Sequence, residues 1–575
     1  MILHALYDYY QRKATASPVP VYGWEWKEIP YLIVLTTQGT FAAIEDTREG
    51  KRARKFLVPQ SVRRTVGIEA NLLWDNIEYA LGANPRKRKD IHQRHAAFRS
   101  RIEHELSPLQ IESINILLHF LDSQPLQQIE NSSYTDLWQQ MLEENPFVAF
   151  RIQGHNHKTI CEDIVGRWRP REEGDESICL ITGRRAVPAR LHPAIKGVRG
   201  ANANGASLVS FNDPAFCSYG KEQSYNSPVS GEAAFAYTTA LNILLERDSR
   251  NKVTLGEAVT IVYWSDGSSA EEYDFEGFFG AYIDAPRDNP DQGVEAVKAL
   301  YDAMHTGKLT SSTQHFYVLG LAPNAGRIAV RFFRHGPTYF FARNIYQHFE
   351  DLQIVHGPNE PEHLPLYRLL ASTAVEHKID NVPPNLPSAV IESILDGTPY
   401  PLSLLQACIR RVRAERVVRY EHAAILKAWL NRYHRLYHNL SKEITMTLDT
   451  TNTAPAYVLG RLFAVLERIQ ESAQPGINAT IRERFYGAAS ASPAATFPRL
   501  LKLANHHLAK IENTGLQVSL DKQLGEVMSL LDGFPLTLPL HDQALFALGY
   551  YHQRQAFFTP KQSSTVQTQQ HDSQS

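Results

Sequence analysis

The sequence predicts an α+β fold, with mixed α/β N-terminal and middle regions followed by an all-α helical-bundle C-terminal domain. Two observations predict it: β-rich apolar runs mixed with helical patterns up to about residue 337, and helical periodicity from 338 to 558. The composition, 43% hydrophobic and 21% charged over 575 residues, is that of an ordinary globular protein long enough for several domains.

The predicted domains follow these changes of pattern along the chain. We expect an N-terminal α+β domain over 1–146, a β-rich middle domain over 147–337 and a helical domain over 338–558. The polar, Gln/Ser-rich end, 559–575, is predicted to be a disordered tail.

The N-terminal elements are predicted in the following order. An amphipathic helix over 2–13 precedes strands 31–35 and 41–44, which are joined by a turn at Gln38-Gly39. Helices follow over 70–81, over 90–121 with a break near Pro108, and over 134–143.

The middle and C-terminal elements are predicted from the same patterns. The middle region has one helix over 232–247 and strands over 178–181, 208–211, 259–264, 316–319 and 328–333. In the C-terminal region we predict helices over 402–437, 454–473, 493–511, 520–531 and 541–557.

Cysteine content and hydropathy bound the cellular setting. Four cysteines are too sparse for a disulfide framework, so a reducing compartment is expected. No apolar run reaches the roughly 18 residues that span a bilayer. We therefore expect a cytoplasmic protein without a membrane partner.

The formal net charge of −2 conceals a strongly basic segment. Between residues 48 and 101 there are 14 Lys and Arg against 5 Asp and Glu, a local excess of +9. Two clusters dominate and each follows a turn signal: Lys51, Arg52, Arg54 and Lys55, and then Arg86, Lys87, Arg88 and Lys89. Cations on loops suit DNA phosphate contacts, and the alternative is a solvated charged loop.

Two further basic features are candidates for nucleic-acid contacts. On the predicted helix 402–437, arginines three residues apart form a stripe that could line the path of a single strand: Arg410, Arg413, Arg416 and Arg419. The glycine-rich segment 196–206 carries Lys196 and Arg199, which suit a phosphate backbone or a partner subunit. The alternatives are an exposed face of a core helix and a plain connecting loop.

Catalytic and metal-binding patterns are weak, so we predict no catalytic residues, no metal and no cofactor. A zinc site is disfavoured because no Cys-x-x-Cys pair occurs among His155, His157, Cys161, Cys179, His192 and Cys217. Two Glu-x-Lys triplets, Glu25-Trp26-Lys27 and Glu376-His377-Lys378, resemble part of a nuclease motif, but such short patterns arise by chance.

Several longer segments of the sequence resemble those of a known family. They are IEDTREG (44–50), FLVPQ (56–60), ANLLWDN (70–76), LHPAIKGVRG (191–200), GASLVSFN (205–212), AFAYTTAL (234–241), PGINATIR (475–482) and GYYHQRQAF (549–557). In this order and over almost the whole chain they resemble the large subunit of type I-C CRISPR surveillance complexes (Cascade), a Csd-type CRISPR-associated protein.

The resemblance implies a non-enzymatic subunit of an antiviral ribonucleoprotein complex. Such a subunit recognises the protospacer-adjacent motif (PAM) on double-stranded target DNA, helps to start R-loop formation and docks the helicase-nuclease. Its other implied partners are CRISPR RNA, the backbone and guide-processing subunits, and a small subunit made from the same gene. The alternative is a metal-dependent nuclease of the same defence pathway.

Mapped onto this chain, the resemblance places the duplex and PAM contacts in the basic N-terminal region. Gln60, Asn71 and Asn76 are candidates for base contacts because amides both donate and accept hydrogen bonds. Asn71 has a structural alternative, capping of the predicted helix 70–81. Met446 is the candidate internal start of a small subunit over about 446–558, and the alternative is an ordinary loop methionine.

Overall fold

The computed structural model describes residues 1–558 apart from 17–18, 51, 63, 65–66, 155–157, 173, 257–258, 268–273, 284–290, 308–313 and 438–442. The predicted tail, 559–575, lies outside the described residues. About half of the protein is helical and 15% is strand, with helices alone after residue 337 in the described part, which confirms the α+β class.

The chain divides into two compact units. The first comprises Met1–Pro193 and Val209–Leu241, and the second comprises Ala194–Leu208 and Asn242–Ser575. This division differs from the three domains expected from the sequence, whose boundaries stay a prediction. Among the described residues no helix is long and apolar enough to cross a membrane.

The first unit is mixed α and β. Its strands are Trp24–Glu28 (β1), Tyr31–Leu35 (β2), Phe41–Asp46 (β3), Arg48–Glu49 (β4), Arg52–Ala53 (β5), Lys55–Pro59 (β6), Trp74–Asn76 (β7), Phe147–Ile152 (β8), Ser177–Ile178 (β9) and Arg185–Ala186 (β10). Its helices are Ile2–Ala16 (α1), Ile77–Ala80 (α2), Ile91–Leu106 (α3), Glu112–Asp122 (α4), Pro125–Glu130 (α5), Thr135–Glu144 (α6) and Ile160–Asp163 (α7). Helix α8, Gly231–Leu244, crosses the boundary into the second unit.

A four-stranded sheet in the order β3-β2-β8-β7 forms the centre of the first unit. All five residues of β2 are buried, which matches its continuous apolar sequence. Strand β2 pairs antiparallel with β3 and parallel with β8. The rings of Phe98 and Phe120, from α3 and α4, lie 6.2 and 6.3 Å from that of Phe150 on β8.

Comparison with the predicted elements gives both agreements and corrections in the first unit. The hairpin of β2 and β3 and the helix break near Pro108 are confirmed. The predicted helix 70–81 is wrong in its first half, because Trp74–Asn76 pairs with β8 and the helix begins only at Ile77. The predicted strand 178–181 is reduced to Ser177–Ile178, and residues 208–211, all described, lie outside any strand.

The second unit consists of an antiparallel sheet followed by helices. Its strands, hydrogen-bonded in sequence order, are Lys252–Leu255 (β11), Val259–Ser265 (β12), His315–Asn324 (β13) and Arg327–Pro337 (β14). Its helices are Phe275–Ile283 (α9), Asp291–His305 (α10), Thr338–Leu352 (α11), Leu366–Ser372 (α12), Leu386–Asp396 (α13), Leu402–Glu415 (α14), Tyr420–Tyr437 (α15), Pro455–Ala473 (α16), Ile481–Ala489 (α17), Pro493–Leu508 (α18), Thr514–Met528 (α19) and Leu540–Phe558 (α20). Residues from the sheet and the helices share one hydrophobic core.

Helices α16 and α20 cross at two glycines. A Cβ atom added to Gly460 would lie 2.0 Å from the carbonyl oxygen of Phe546, and one added to Gly549 would lie 2.0 Å from that of Tyr457. The backbones therefore approach more closely than any side chain would allow. This crossing fixes the packing of α20, the last helix of the described residues.

Candidate nucleic-acid interface

The first basic cluster lies on and beside the short hairpin of β4 and β5. Gly50 occupies its turn with φ of +66°, a left-handed conformation that glycine adopts without steric cost. Arg52 on β5 and Lys55 at the start of β6 are both exposed, while Lys51 lies outside the described residues. Arg52 and Lys55 are thus exposed, as expected, but they lie on short strands and not on the loop that the sequence predicted.

Other cations near this hairpin are partly neutralised by the protein itself. The guanidinium of Arg54, 52% exposed, lies 3.8 Å from the carboxylate of Glu45. Arg48 pairs with Asp46 at 2.7 Å and with Glu144 at 3.2 Å, and these carboxylates raise its pKa. Arg54 therefore keeps an accessible charge, whereas Arg48 mainly stabilises the first unit.

The second basic cluster lies in the turn between α2 and α3. The carboxylate of Glu78, only 1% exposed, is 3.1 Å from Arg88 and 4.0 Å from Arg86. Lys87, with φ of +50°, and Lys89 are exposed. The predicted loop position is confirmed, but two of the four cations lie beside a buried carboxylate and the two lysines carry the more accessible charge.

Asp75 organises the segment that carries the amide candidates. Its side chain is fully buried, and its carboxylate accepts the backbone N–H of Asn71 and of Asn76, each at 2.8 Å. The guanidinium of Arg64 pairs with the same carboxylate. Burial raises the pKa of Asp75, and the Arg64 charge and both N–H donors act in the opposite direction.

The three amide candidates have different surroundings. Asn71 is 4% exposed, and its Oδ1 accepts the backbone N–H of Val62 at 3.0 Å. Asn76, not Asn71, caps a helix: its Oδ1 accepts the backbone N–H of Tyr79 at 3.3 Å at the start of α2. Gln60 is half-buried and directly follows β6. Base contact by any of them stays a prediction.

The arginine stripe predicted on one long helix is interrupted. Helix α14 ends at Glu415, and Arg416 has a left-handed backbone with φ of +60°. Arg410 and Arg413 are exposed near the end of α14, whereas Arg419 precedes α15 and lies 3.2 Å from Glu415. The prediction of one continuous stripe is therefore wrong, because the helix ends before Arg416, which has a left-handed backbone.

Two further basic residues within the predicted helix 402–437 are internal. Lys427 and Arg432 of α15 are 4% and 2% exposed. The Lys427 ammonium donates to the carbonyl oxygen of Asp351 at 3.0 Å, and Arg432 pairs with the Asp351 carboxylate at 3.0 Å. Burial lowers the pKa of Lys427. These two residues hold α15 against α11 and add no surface charge.

The glycine-rich segment 196–206 belongs to the second unit, which includes Ala194–Leu208. The backbone N–H of Lys196 donates to Oδ1 of Asn242 at 2.8 Å, and that of Arg199 donates to Oγ1 of Thr260 at 3.1 Å. Both basic side chains are exposed, and the Arg199 guanidinium is 3.7 Å from Asp380. The segment is thus anchored by its backbone, with its cations at the surface.

The described residues considered for zinc do not form a metal-binding group. Cys161 and Cys179 are buried, and His192 is 2.7 Å from the hydroxyl of Tyr237, with burial lowering its pKa to about 4. His155 and His157 lie outside the described residues. Within the described ranges, no three His, Cys, Asp or Glu side chains form a group that could hold a metal.

The two Glu-x-Lys triplets occupy different surroundings. Glu25 accepts the backbone N–H of Ser61 at 3.1 Å. Glu376 and Lys378 form an exposed ion pair at 2.5 Å, and Glu376 has φ of +59°. These carboxylates serve local structure in the first and second units respectively.

Two buried carboxylates escape prediction from the sequence. In the sequence, Asp75 and Glu78 appear only as two acidic residues that reduce the net charge of a basic region. In the structure, both side chains are at most 1% exposed and pair with arginines. The burial of these two carboxylates could have been inferred from the apolar segment around them, which includes Leu73, Trp74 and Ile77. A carboxylate inside such a segment indicates an internal partner.

Comparison with known proteins identifies the family. The family model of the CRISPR-associated protein Cas_Csd1 matches residues 6–558, nearly the whole chain. No curated protein matches the chain significantly. The protein belongs to the Cas_Csd1 family of CRISPR-associated proteins.

Proposed function

We propose that this protein is the large subunit of a type I-C CRISPR RNA-guided surveillance complex and works without chemistry of its own. It recognises the PAM on double-stranded DNA, helps to start unwinding and docks the helicase-nuclease. Family membership supports a role in such a complex. The division of labour is physically reasonable, because guide pairing reads the long target and the protein need only read a short motif.

The observation that supports the proposal is the set of exposed cations on a short hairpin, on the strand that follows it and on one turn of the first unit. Arg52, Arg54 and Lys55 lie on or beside one hairpin, and Lys87 and Lys89 lie on the α2–α3 turn. Long cations on turns release counterions from DNA phosphates and fix the position of the protein on the duplex.

In this proposal, the base contacts are made by amide side chains between the end of β6 and the end of β7. Asn71 and Asn76 use their side-chain oxygens within the protein. The NH₂ group of the half-buried Asn76 is the donor proposed for a base edge, whereas Asn71 is only 4% exposed and holds the backbone of Val62. Gln60 is half-buried and follows β6. Asp75 holds the backbone on both sides of this segment, which preorganises the amides.

In the second unit, the proposed strand contacts are Arg410, Arg413, Arg416, Arg419, Lys196 and Arg199. Met446, 49% exposed, precedes α16 and is the proposed internal start of a small subunit containing α16–α20. CRISPR RNA and the backbone and guide-processing subunits complete the proposed assembly.

The proposal is tested with the assembled complex and a variant that combines Arg52→Ala, Arg54→Ala and Lys55→Ala. Each phosphate contact contributes about 0.9 to the slope of log K against log salt, so three lost contacts reduce the slope by about 2.7. Duplex affinity is measured between 50 and 200 mM salt. We expect weaker binding for every adjacent motif together with this shallower slope.

A matched control separates the hairpin from general surface charge. Arg184, Arg185 and Arg190 are also exposed in the first unit, and changing all three to alanine removes the same charge. This control should keep the slope of the unchanged protein. An unchanged slope in the hairpin variant would contradict the proposed phosphate contacts.

A further inference from the structure

A cavity of about 290 Å³ lies in the second unit, between its sheet and the segment that precedes α13. Its apolar lining includes Leu255, Pro323, Ile379, Val382 and Pro384. The proline rings and aliphatic side chains offer an apolar contact surface for a planar group. The volume is sufficient for one unpaired base with its sugar.

Close backbone approaches fix the walls of this cavity. Gly256 has φ of +60°, and a Cβ atom there would lie 3.1 Å from the carbonyl oxygen of Ile379. A Cβ atom on Gly200 would lie 3.2 Å from the ring of Pro323. The glycine-rich segment and the lining segments are therefore in direct contact, which favours a preformed site.

The polar groups at the cavity have a definite charge arrangement. Arg331 of β14 is exposed and lines the cavity, as does Asp380. The Arg199 guanidinium lies 3.7 Å from the Asp380 carboxylate. Two guanidinium groups and one carboxylate leave one positive charge, which complements a phosphodiester, and the carboxylate is a strong hydrogen-bond acceptor.

We propose that this cavity binds one unpaired nucleotide of a nucleic-acid strand. The base packs against the prolines and aliphatic side chains, and the phosphate contacts Arg331 and Arg199 at the rim. Asp380 accepts a hydrogen bond from an exocyclic amino group, at the position where uracil and thymine have a carbonyl oxygen that the carboxylate repels, so adenine and cytosine are preferred. This inference extends the proposed function and rests on its premise that the second unit contacts a strand.

The test uses the full chain and nucleoside 5′-monophosphates, so that the basic clusters of the first unit contribute little. Ligand-detected NMR titrations compare adenosine, cytidine and uridine monophosphates. One good base contact is worth about 1–3 kcal/mol, so the amino-bearing nucleotides should bind about tenfold more tightly than uridine monophosphate. Equal affinity for all three would overturn the proposal.

Deoxyadenosine and deoxycytidine monophosphates identify the source of the nucleotide. Tighter binding of the ribonucleotides assigns the cavity to RNA, and tighter binding of the deoxynucleotides assigns it to a DNA strand, while equal binding means that the cavity accepts a nucleotide of either strand. Each of these results supports a nucleotide site, provided that the preference over uridine monophosphate is present.

Two variants place the binding in this cavity. Asp380→Asn should abolish the preference for amino-bearing bases. Arg331→Gln should weaken the binding of every nucleotide about tenfold. Arg484→Gln, at an exposed site on α17, is the control and should change neither quantity. Unchanged binding in both cavity variants would refute the site, while the salt slope of the hairpin variant would still decide the proposed function separately.

Discussion

Replacement of Arg64 by alanine should loosen the segment that carries the amide candidates. Arg64 is the ion-pair partner of the fully buried Asp75 carboxylate, and its guanidinium also lies 4.0 Å from the centre of the Tyr79 ring. Asp75 in turn holds the backbone N–H groups of Asn71 and Asn76. Without Arg64, a buried carboxylate keeps two N–H donors but loses its counter-charge.

The magnitude follows from the burial of the two partners. Removing one partner of a buried ion pair costs about 3–5 kcal/mol. Arg64 is 28% exposed, so solvent screens part of the interaction and we expect the lower end, about 3 kcal/mol. That corresponds to about a 100-fold loss of protection against amide hydrogen exchange over residues 67–76.

The expected effect depends on pH in a definite direction. Burial raises the pKa of Asp75 in the folded protein, so its contribution favours folding below the unfolded pKa of about 3.9 and is lost as pH rises through the folded pKa. Arg64→Ala raises that folded pKa further. The difference in protection between variant and unchanged protein should therefore be small in acid and largest near neutrality.

The assay is hydrogen-exchange mass spectrometry of peptides covering 67–76, with protection factors compared across pH. Arg52→Ala, on the exposed hairpin, is the control and should leave this segment unchanged. Adding Asp75→Asn to Arg64→Ala should recover part of the protection, because no charge is then left buried. Equal protection in Arg64→Ala and the unchanged protein near pH 7 would refute the reasoning.

Three further predictions concern the second unit. Gly549→Ala should lower the thermal unfolding midpoint, because overpacking the α16–α20 crossing costs about 1–3 kcal/mol or more; Gly525→Ala, with nothing within 4 Å of its added Cβ atom, should not. Arg416→Gly should raise the midpoint by relieving about 1 kcal/mol of left-handed strain, whereas Arg413→Gly in α14 should lower it. Met446→Leu should remove the product of residues 446–575 from immunoblots against a C-terminal tag, and a persisting product would exclude Met446 as its start.

Much of the secondary structure could be predicted from local sequence. The apolar run of β2, the glycine turn after it and the proline near residue 108 each act within a few residues, and the structure agrees with them. Asn76 shows the limit: an asparagine cap was expected at Asn71, but pairing of β7 with the distant β8 delays the helix. Such long-range pairing overrides local preference.

The break at Arg416 has a different cause. It lacks the glycine or proline that normally signals a helix end, and the left-handed backbone there is visible only in the folded chain. The residues on either side are apolar and basic at helical spacing, so the sequence pattern continues through the break.

The position of the candidate site could be predicted from the charge pattern of the sequence. Which of its cations face solvent could not. Exposed Arg52 and Lys55 follow directly from a basic run after a turn signal. By contrast, Arg88 pairs with the buried Glu78, and Arg432 pairs with Asp351, which lies 81 positions earlier in the chain. Whether a cation faces solvent or a buried carboxylate depends on packing, which composition does not encode.

The central claim, recognition of a motif beside the target, is tested most directly by the affinity of the assembled complex for target duplexes. The duplexes share one guide-complementary sequence and differ only in the adjacent base pairs, which are fully permuted. We predict that a small subset of motifs binds at least tenfold more tightly than the others, since one base contact is worth about 1–3 kcal/mol. Equal affinity for every adjacent motif would contradict the account.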